Sequence, residues 1–295
     1  MENGNKVKVY DTRVEWLEKA RINKVGGKCE FAEGPLWHPD GYFLFSDTPA
    51  NCIYRLGLDG HWVLYINHSG CTHTDRTLLS AQIGSNGLAL DKERKLLVCQ
   101  HGNHGIARQE QDGSLLPYIS NYQQKPFNSP NDLLLHSNGS IFFTDPPYGL
   151  KDEQLQPALF QPRAGVYVYK DGEVQLIGDQ LNFPNGLIFS ADERHLYVSS
   201  NDPSQKCIVE YALQQDGAWK YAGVFVTENA DGMTTDDNGN MYLATNDGVL
   251  LLSATGERLA LITLAETPTN LAWGGENKSV LLVTARTALF FIERP

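Results

Sequence analysis

The apolar and polar positions of this chain follow a pattern that recurs six times along its 295 residues. Each copy reads as a polar residue, a short apolar run, a polar turn and a second apolar run, which is typical of an antiparallel β-hairpin. The copies begin 39 to 54 residues apart, an irregular repeat of the size that propeller blades have. Their leading residues are Glu33, Asn86, Asn131, Asn185, Asp231 and Asn270.

A second hairpin follows most copies, as in "CIYRLGLDGHWVLYI" and "GVYVYKDGEVQLIG". Its strands alternate apolar and polar residues, and an Asp-Gly or Thr-Gly pair marks the turn. Two hairpins per repeat make a four-stranded sheet. Six such sheets around one axis predict an all-β fold, a six-bladed β-propeller with four-stranded blades.

The two ends of the chain are predicted to close the ring. The last repeat, which ends in "TALFFIE", lacks a fourth strand, and "KARINKVGGK" near the N-terminus has no hairpin partner. We expect this N-terminal segment to complete the last blade and to remove its open edge. Residues 1–19 form an extension in which "DTRVEWLEKA" predicts a short helix outside the ring. No linker-like segment divides residues 1–295, so one domain is predicted.

Composition and charge narrow the range of partners. The chain is 41% hydrophobic and 20% charged, which is ordinary for a globular protein, and its net charge of −11 disfavours binding to nucleic acid. We expect no membrane segment, because the longest apolar runs have the length of strands. The five cysteines form no Cys-x-x-Cys pair, so we expect free thiols and a cytoplasmic location. A periplasmic location stays open if a leader has been removed.

The six leading residues all carry a side-chain oxygen, and the first strand of each propeller blade lies along the central channel. We therefore expect these side chains to converge. Hard oxygen ligands suit Ca²⁺ or Mg²⁺, and Glu33 with Asp231 supplies two negative charges that match a divalent cation. The alternative is that the Asn-Gly and Asp-Gly pairs are only tight turns. Against it, each repeat has its own turn about eight residues later, as in "HSNGS".

Four segments, "EGPLW", "SPNDL", "FPNGL" and "ADGMTTDDNGNMYLAT", resemble the family that joins gluconolactonase, regucalcin and the luciferin-regenerating enzyme. In "LLVCQHGNHGIAR" the chain is similar to the bacterial gluconolactonase branch. The resemblance implies a six-bladed propeller with a divalent metal, usually Ca²⁺, in the central channel. It also implies that Glu33, Asn185 and Asp231 are direct metal ligands, and that Asn131 is a fourth, close to the substrate. Ser129 occupies the position at which the animal regucalcin branch of the family has arginine. The substrate contacts of that branch therefore cannot be assigned wholesale to this chain.

The resemblance further implies hydrolysis of a sugar lactone, an aldonolactone, to the aldonic acid, with the metal on the lactone carbonyl. A base must take a proton from the attacking water, and Asp231 is the first candidate. His101 is the second, since histidine titrates near neutral pH, although an ordinary polar loop residue is an equal interpretation. Asp132 follows Asn131 and either binds a sugar hydroxyl, orients Asn131 or makes a structural hydrogen bond. Mg²⁺, Mn²⁺ and Zn²⁺ are alternatives to Ca²⁺.

Other functions fit the same pattern. The metal site suits another lactonase or a phosphotriesterase, because a cation polarises a phosphoryl oxygen as well as a carbonyl. A binding platform with a merely structural channel is another alternative, although it needs no converging carboxylates. The last is a non-enzymatic calcium-binding regulator, although two carboxylates are few for a tight calcium site. We expect a small-molecule substrate and a monomer or weak homo-oligomer.

Overall fold

The structure of the protein is a computed structural model that describes residues 5–295. At the N-terminal end, two strands flank a 3₁₀-helix: β1 (Lys6–Val9), the helix (Thr12–Lys19) and β2 (Arg21–Val25). Blade 1 comprises β3 (Ala32–His38), β4 (Tyr42–Asp47), β5 (Cys52–Leu56) and β6 (Trp62–Asn67). Blade 2 comprises β7 (Ser85–Leu90), β8 (Leu96–Gln100), β9 (Gly105–Gln109) and β10 (Leu115–Ile119). A small hairpin follows, made of β11 (Asn121–Tyr122) and β12 (Lys125–Pro126).

The second half of the ring repeats this arrangement. Blade 3 comprises β13 (Leu133–Leu135), β14 (Ile141–Asp145), β15 (Gly165–Lys170) and β16 (Glu173–Gly178). Blade 4 comprises β17 (Pro184–Phe189), β18 (His195–Ser200), β19 (Ile208–Leu213) and β20 (Trp219–Val226). Blade 5 comprises β21 (Met233–Thr235), β22 (Met241–Thr245), β23 (Gly248–Leu252) and β24 (Arg258–Thr263). Blade 6 contains β25 (Asn270–Gly274), β26 (Val280–Ala285) and β27 (Ala288–Glu293). Short 3₁₀-helices span Lys151–Glu153 and Glu276–Lys278.

The predicted six-bladed β-propeller is confirmed, and so is its closure by the N-terminal segment. Strand β2 pairs antiparallel with β27, with Arg21 opposite Glu293 and Val25 opposite Leu289. The last blade is therefore four-stranded only because residues from both ends of the chain share it. This pairing removes the exposed edge that β27 would otherwise present.

Two local features differ from the prediction. Strand β1 adds a fifth strand to blade 5, with Lys6 opposite Thr263. Its sequence, "KVKV", alternates over only four residues, too few to distinguish a strand from an extended end. The predicted N-terminal helix is present as a 3₁₀-helix, and Asp11 caps it by accepting from the N–H of Arg13 at 2.9 Å.

The core lies between the blades. Residues 5–295 form six apolar clusters, and each of them joins two neighbouring blades. Between blades 6 and 1, for example, Phe43 and Phe45 pack with Leu282 and Phe291. The N-terminal helix adds Leu17 to the cluster between blades 5 and 6. Because every cluster is shared, each blade depends on its two neighbours for burial.

Two expectations from composition can be compared with the structure. The cysteines are free, as predicted, and all of them are buried; they are Cys29, Cys52, Cys71, Cys99 and Cys207. Within residues 5–295, the helices are too short or too polar for a bilayer crossing.

Truncation from the N-terminus tests the closure. Removing residues 1–26 deletes β2 and the helix and exposes β27, whereas removing residues 1–10 deletes only β1. We expect the longer truncation to lower Tm by at least about 10 °C, because several kcal/mol of burial and pairing are lost. The shorter truncation should lower Tm by only a few degrees. Thermal unfolding followed by circular dichroism measures both, and an unchanged Tm in the longer truncation would contradict the assigned closure.

Candidate metal and active site

Five of the six leading residues line one cavity at an end of the central channel. The cavity has a volume of about 220 Å³, and the leading residues in its wall are Glu33, Asn86, Asn131, Asn185 and Asp231. The sixth, Asn270, donates from Nδ2 to Glu33 Oε2 at 3.3 Å. The repeat therefore brings its polar positions together where the first strands begin.

A local irregularity of the first strands aims these side chains. In blades 1, 2 and 4 the pairing register shifts at the leading residue, across the segments 33–36, 85–88 and 184–187. A β-bulge of this kind redirects a side chain and often occurs next to a functional site. The Asn-Gly pairs of β7 and β17 thus lie inside strands, which rules out the interpretation of these pairs as tight turns.

Glycine follows four of the six leading residues, because neighbouring first strands approach closely there. The N–H of Gly186 donates to the carbonyl of Asp231 at 2.8 Å, and a Cβ at Gly186 would lie 2.4 Å from that oxygen. Gly34 has a φ of +51°, and a Cβ there would lie 1.9 Å from the carbonyl oxygen of Asn86. A larger residue at either position would push the strands apart.

Buried hydroxyl groups fix the backbone of the leading residues from the preceding blade. Ser46 Oγ in β4 donates to the carbonyl of Asn86 at 2.8 Å. Thr144 Oγ1 in β14 donates to the carbonyl of Asn185 at 2.9 Å. Because these hydroxyls are fully buried, removing one would leave a buried carbonyl without its partner. The second strand of one blade therefore positions the site residue of the next.

The leading side chains form a chain of hydrogen bonds around the cavity. Asn131 Nδ2 donates to Asn185 Oδ1 at 2.8 Å, and Asn185 Nδ2 donates to Asp231 Oδ1 at 2.7 Å. Asn201 Nδ2 donates to the same oxygen of Asp231 at 3.2 Å. No group in residues 5–295 donates to Asp231 Oδ2, so one carboxylate oxygen is uncommitted.

Two further oxygens in the cavity wall are uncommitted. Both hydrogen bonds to Glu33, from the N–H of Gly34 at 3.0 Å and from Asn270, end at Oε2 and leave Oε1 free of described donors. The buried Oδ1 of Asn86 likewise has no hydrogen-bond partner in the described part of the chain. Buried polar oxygens normally have partners, so these atoms mark a place where a cation or a polar ligand fits.

Burial raises the pKa of two carboxylates in this wall, Glu33 and Asp231. The pKa of Glu33 lies well above its usual value because of burial and, secondly, because of the negative charge of Asp231. Burial raises the pKa of Asp231 to about 7, although the hydrogen bond from Asn185 and the positive charge of Arg286 oppose the rise. Neither carboxylate forms an ion pair within residues 5–295. A divalent cation would offset both charges.

His101 lies beside Asn131 and is only 1% exposed. Its Nε2 is 3.1 Å from Asn131 Oδ1, and its Nδ1 is 2.9 Å from the carbonyl oxygen of Gln82. Burial lowers the pKa of His101 to about 4, so the ring is neutral at pH 7 and carries a single proton. Both neighbouring atoms are oxygens, and a neutral ring can donate to only one of them.

The structure separates Asp132 from the other predicted site residues. Asp132 lines a different cavity, of about 480 Å³, towards the far ends of the first strands. Its Oδ1 accepts from the N–H of Leu133 at 2.9 Å, and burial raises its pKa to about 7. Ser129, which stands where the animal branch has arginine, is buried and accepts from the N–H of Gly149 at 2.9 Å. It holds the loop after β14 and does not line the cavity of about 220 Å³.

Several residues that complete the cavity wall were not predicted from the sequence as site residues. These residues are Phe31, Gln82, Tyr148, Glu153 and Asn201. They lie just before a first strand or in the segment after a second strand, and Glu153 ends the 3₁₀-helix Lys151–Glu153. Among them, the Tyr148 hydroxyl accepts from Asn185 Nδ2 at 3.2 Å. The sequence feature that could have identified Tyr148 and Asn201 is the set of polar and aromatic residues after second strands, as in "TDPPYG" and "SNDPS". These segments are equally typical of turns.

The side chains that could hold a cation are the two buried carboxylates and a set of amides, since the third carboxylate of the wall, Glu153, is exposed. Within residues 5–295, no three His, Cys, Asp or Glu side chains form a metal-binding group. The candidate ligands are instead Glu33, Asn131, Asn185 and Asp231, with Asn86 beside them. Carboxylate and amide oxygens together are the ligands that hard cations such as Ca²⁺ prefer.

Sequence comparisons identify the family of this chain. Residues 22–287 match the family described as SMP-30/Gluconolactonase/LRE-like region. The chain is 31% identical over 258 residues to a gluconolactonase of Zymomonas mobilis, covering 82% of this chain and 72% of the relative. It is 26% identical over 267 residues to regucalcin of Bos taurus, covering 87% of this chain and 83% of that relative.

A solved structure shares the fold over almost the whole chain. The gluconolactonase structure from Xanthomonas campestris superposes with a TM-score of 0.87 at 28% identity, covering 99% of this chain and 96% of that chain. The resemblance seen in the sequence motifs is therefore confirmed. This chain belongs to the SMP-30/gluconolactonase/LRE-like family.

Proposed function

We propose that this chain is a lactonase that hydrolyses a sugar lactone, an aldonolactone, to the aldonic acid at a divalent cation, Ca²⁺, in the central channel. The observation that carries the proposal is the buried pair Glu33 and Asp231, each with an uncommitted oxygen, in the wall of a cavity of about 220 Å³. Identity of 31% to a gluconolactonase over most of the chain supports this class of reaction.

Glu33, Asn131, Asn185 and Asp231 would hold the cation. The two carboxylates supply two negative charges, and the amides add ligands without charge, so that the cation stays electrophilic. When bound, the cation polarises the lactone carbonyl and stabilises the negative charge that develops on its oxygen. The same oxygen ligands accept Mg²⁺ or Mn²⁺, and less readily Zn²⁺.

The hydrogen bonds of His101 support a rotated amide at Asn131. A neutral ring whose Nδ1–H donates to the Gln82 carbonyl keeps Nε2 as an acceptor. Rotating the Asn131 amide by about 180° presents its Nδ2 to that nitrogen and turns Oδ1 towards Asn185. Two amide oxygens then converge, an arrangement that a cation stabilises. His101 is in this account a positioning residue for Asn131.

Asp231 is the group that we assign as general base. One of its oxygens accepts from Asn185 and Asn201, and the other is uncommitted. Burial raises the pKa of Asp231 to about 7, and an adjacent cation would lower it again, so the carboxylate is ionised at neutral pH and able to take a proton from water. The proton passes to the ring oxygen as the C–O bond breaks, so that lactone and water give the hydroxy acid. His101 is the second candidate, although both of its nitrogens already have partners.

The rest of the cavity wall suits a small polyhydroxylated ring. Tyr148 and Asn201 offer hydrogen-bonding groups for sugar hydroxyls, and Phe31 offers an apolar face. Asn131 borders both the cation ligands and the free space, and we propose that it also contacts the substrate. Asp132 lines the opposite cavity, so we assign it no contact with the lactone.

Acid release from D-glucono-1,5-lactone at constant pH tests the reaction. The Ca²⁺-loaded protein should exceed the spontaneous rate, chelation should abolish the excess, and restored Ca²⁺ should recover it. We expect Asp231→Asn and Glu33→Gln, which keep the side-chain shape, to lower kcat/KM at least about 100-fold, since each removes a charge next to the cation. His101→Gln should lower it about tenfold, as expected for a group that only orients a ligand.

Asp237→Asn is the control, because Asp237 is an exposed carboxylate that pairs with Lys278 away from the cavity. It should keep the wild-type rate. A protein that binds Ca²⁺ but leaves aldonolactones untouched would contradict the reaction. A protein that binds no divalent cation would contradict the site, and an equal loss in His101→Gln and Asp231→Asn would make His101 the base.

The raised pKa of Asp231 predicts how the stability of the metal-free protein depends on pH. A carboxyl group with a pKa of about 7 when folded, against 3.8 ordinarily, binds more protons in the folded state. Its favourable contribution to the free energy of unfolding is therefore present at low pH and is lost as the pH rises through 7. We expect the Tm of chelator-treated protein to fall between pH 5 and pH 8. At pH 8, Ca²⁺ at 100 times its Kd should raise the free energy of unfolding by about 2.7 kcal/mol.

Scanning calorimetry with Asp231→Asn as the control separates this carboxyl from the other acidic groups. The variant should show a shallower fall of Tm with pH and a smaller gain from Ca²⁺. Identical pH slopes for the variant and the wild type would refute the role of Asp231 in this dependence.

A further inference from the structure

A second cavity, of about 530 Å³, adjoins the candidate site. It shares Phe31, Asn201 and Asp231 with the smaller cavity, so these residues form the border between the two spaces. A ligand whose carbonyl lies beside Asp231 can therefore extend past Asn201 into the larger space. The hydrolysis proposed above takes place in the smaller cavity, and it does not explain what the larger cavity binds.

Two cationic side chains line this second cavity. Lys206 precedes β19 and Arg286 lies in the turn between β26 and β27, and both side chains are exposed. Neither forms an ion pair within the described range 5–295. The carboxylates in the same wall are Glu30 and Asp231. Because Asp231 belongs to the proposed cation site, two positive charges face one remaining negative charge.

Arg286 occupies an unfavourable backbone position. Its φ is +48°, in the left-handed region that non-glycine residues rarely adopt. The tight hairpin turn between β26 and β27 would favour asparagine or glycine there. The residue that borders the candidate site from this turn is thus an arginine that the local backbone does not select.

The backbone fixes Arg286 next to the strand that carries Glu33. Its carbonyl oxygen accepts from the N–H of Ala32 at 2.7 Å, and Ala32 directly precedes Glu33 in β3. The adjoining Thr287 donates to the Glu266 carboxylate from its N–H at 3.0 Å and from Oγ1 at 2.8 Å. The turn is thus anchored at both of its residues, and the guanidinium of Arg286 is free to meet a ligand.

We propose that Arg286 and Lys206 form a subsite for an anionic group, a carboxylate or a phosphate, at the end of the lactone remote from its reacting carbonyl. The inference rests on the proposed lactonase function and names the substrate class as anionic sugar lactones. The planar fork of Arg286 donates two parallel hydrogen bonds to either oxyanion, and Lys206 adds a flexible point charge. A neutral lactone fits the smaller cavity and gains nothing from either cation.

The contribution of this subsite is measured in the Ca²⁺-loaded protein as a ratio of two kcat/KM values. The numerator is kcat/KM for 6-phospho-D-glucono-1,5-lactone, and the denominator is kcat/KM for D-glucono-1,5-lactone. We expect the wild type to prefer the phosphorylated lactone at least about tenfold, the size of one charge-assisted hydrogen bond. Arg286→Asn removes the charge and suits the left-handed backbone, so the ratio should fall about tenfold without a loss of Tm. Lys206→Gln should lower the ratio by a smaller factor.

Arg94→Asn is the matched control. Arg94 is also an exposed arginine with a positive φ, of +63°, but it lies in the turn between β7 and β8, away from both cavities. It should leave the ratio unchanged, and Arg286→Lys should keep only part of the preference, because lysine supplies the charge without the two-donor fork. A wild-type ratio near one, or an Arg286→Asn ratio equal to that of the wild type, would overturn the subsite.

Binding of stable acids separates this inference from the lactonase proposal, because it needs no turnover. Calorimetry compares D-gluconate with 6-phospho-D-gluconate and D-glucarate, which add a phosphate and a second carboxylate. We expect either addition to tighten wild-type binding about tenfold and Arg286→Asn to remove the gain. A gain from glucarate alone assigns the subsite to carboxylates, and a gain from the phosphate alone assigns it to phosphates.

The combined outcomes are distinct. If the charged acids bind more tightly than gluconate through Arg286 but no lactone is hydrolysed, the proposed reaction is contradicted and the subsite is supported. Normal turnover without such a gain would sink the subsite alone. Equal weakening of all three acids in Arg286→Asn would place the product carboxylate beside Arg286 and overturn the remote subsite.

Discussion

The buried pair of like charges at Glu33 and Asp231 is the constraint on which the rest of the structure depends. Each carboxylate lies where a first strand begins, and closure of the ring brings both into the wall of one cavity. Burying two carboxylates is unfavourable unless they are protonated or share a cation, which is why their pKa values are raised. Fold stability and the proposed chemistry are therefore linked, because the same cation that would polarise a lactone would also relieve this repulsion.

The surrounding frame supplies the favourable free energy that holds this arrangement. Apolar clusters at all the blade interfaces and the pairing of β2 with β27 close the ring. Within it, bulges in the first strands and buried hydroxyls such as Ser46 and Thr144 set where each leading side chain points. Donors and ligands held in this way need little reorganisation when a substrate binds, which is the condition for electrostatic catalysis.

Much of the fold could be predicted from the sequence because its signals are local. Strand alternation and turn residues define each blade, and the position of a polar residue at the start of a first strand already places it at the axis. Strand β1 was missed because four alternating residues carry too little periodicity.

The site was only partly predictable. Asp132 follows Asn131 directly, yet it lines the other cavity, of about 480 Å³, since successive side chains of the extended segment that leads into β13 point in different directions. Tyr148 and Asn201 reach the cavity through loops whose paths depend on tertiary packing, and Arg286 does so through a turn that its residue type does not favour. Sequence adjacency and turn propensity contain no information about which cavity such side chains enter.

The most direct test of the central claim is a crystal structure of the protein grown with Ca²⁺, with anomalous diffraction to locate the ion. The account predicts one strong anomalous peak in the channel cavity, about 2.3–2.6 Å from oxygens of Glu33, Asn185 and Asp231. It also predicts that the side-chain oxygens of Asn131 and Asn185 both face the ion, so that the two amides do not hydrogen-bond to each other. A peak elsewhere, or a cavity in which the amide chain persists without a bound cation, would contradict it.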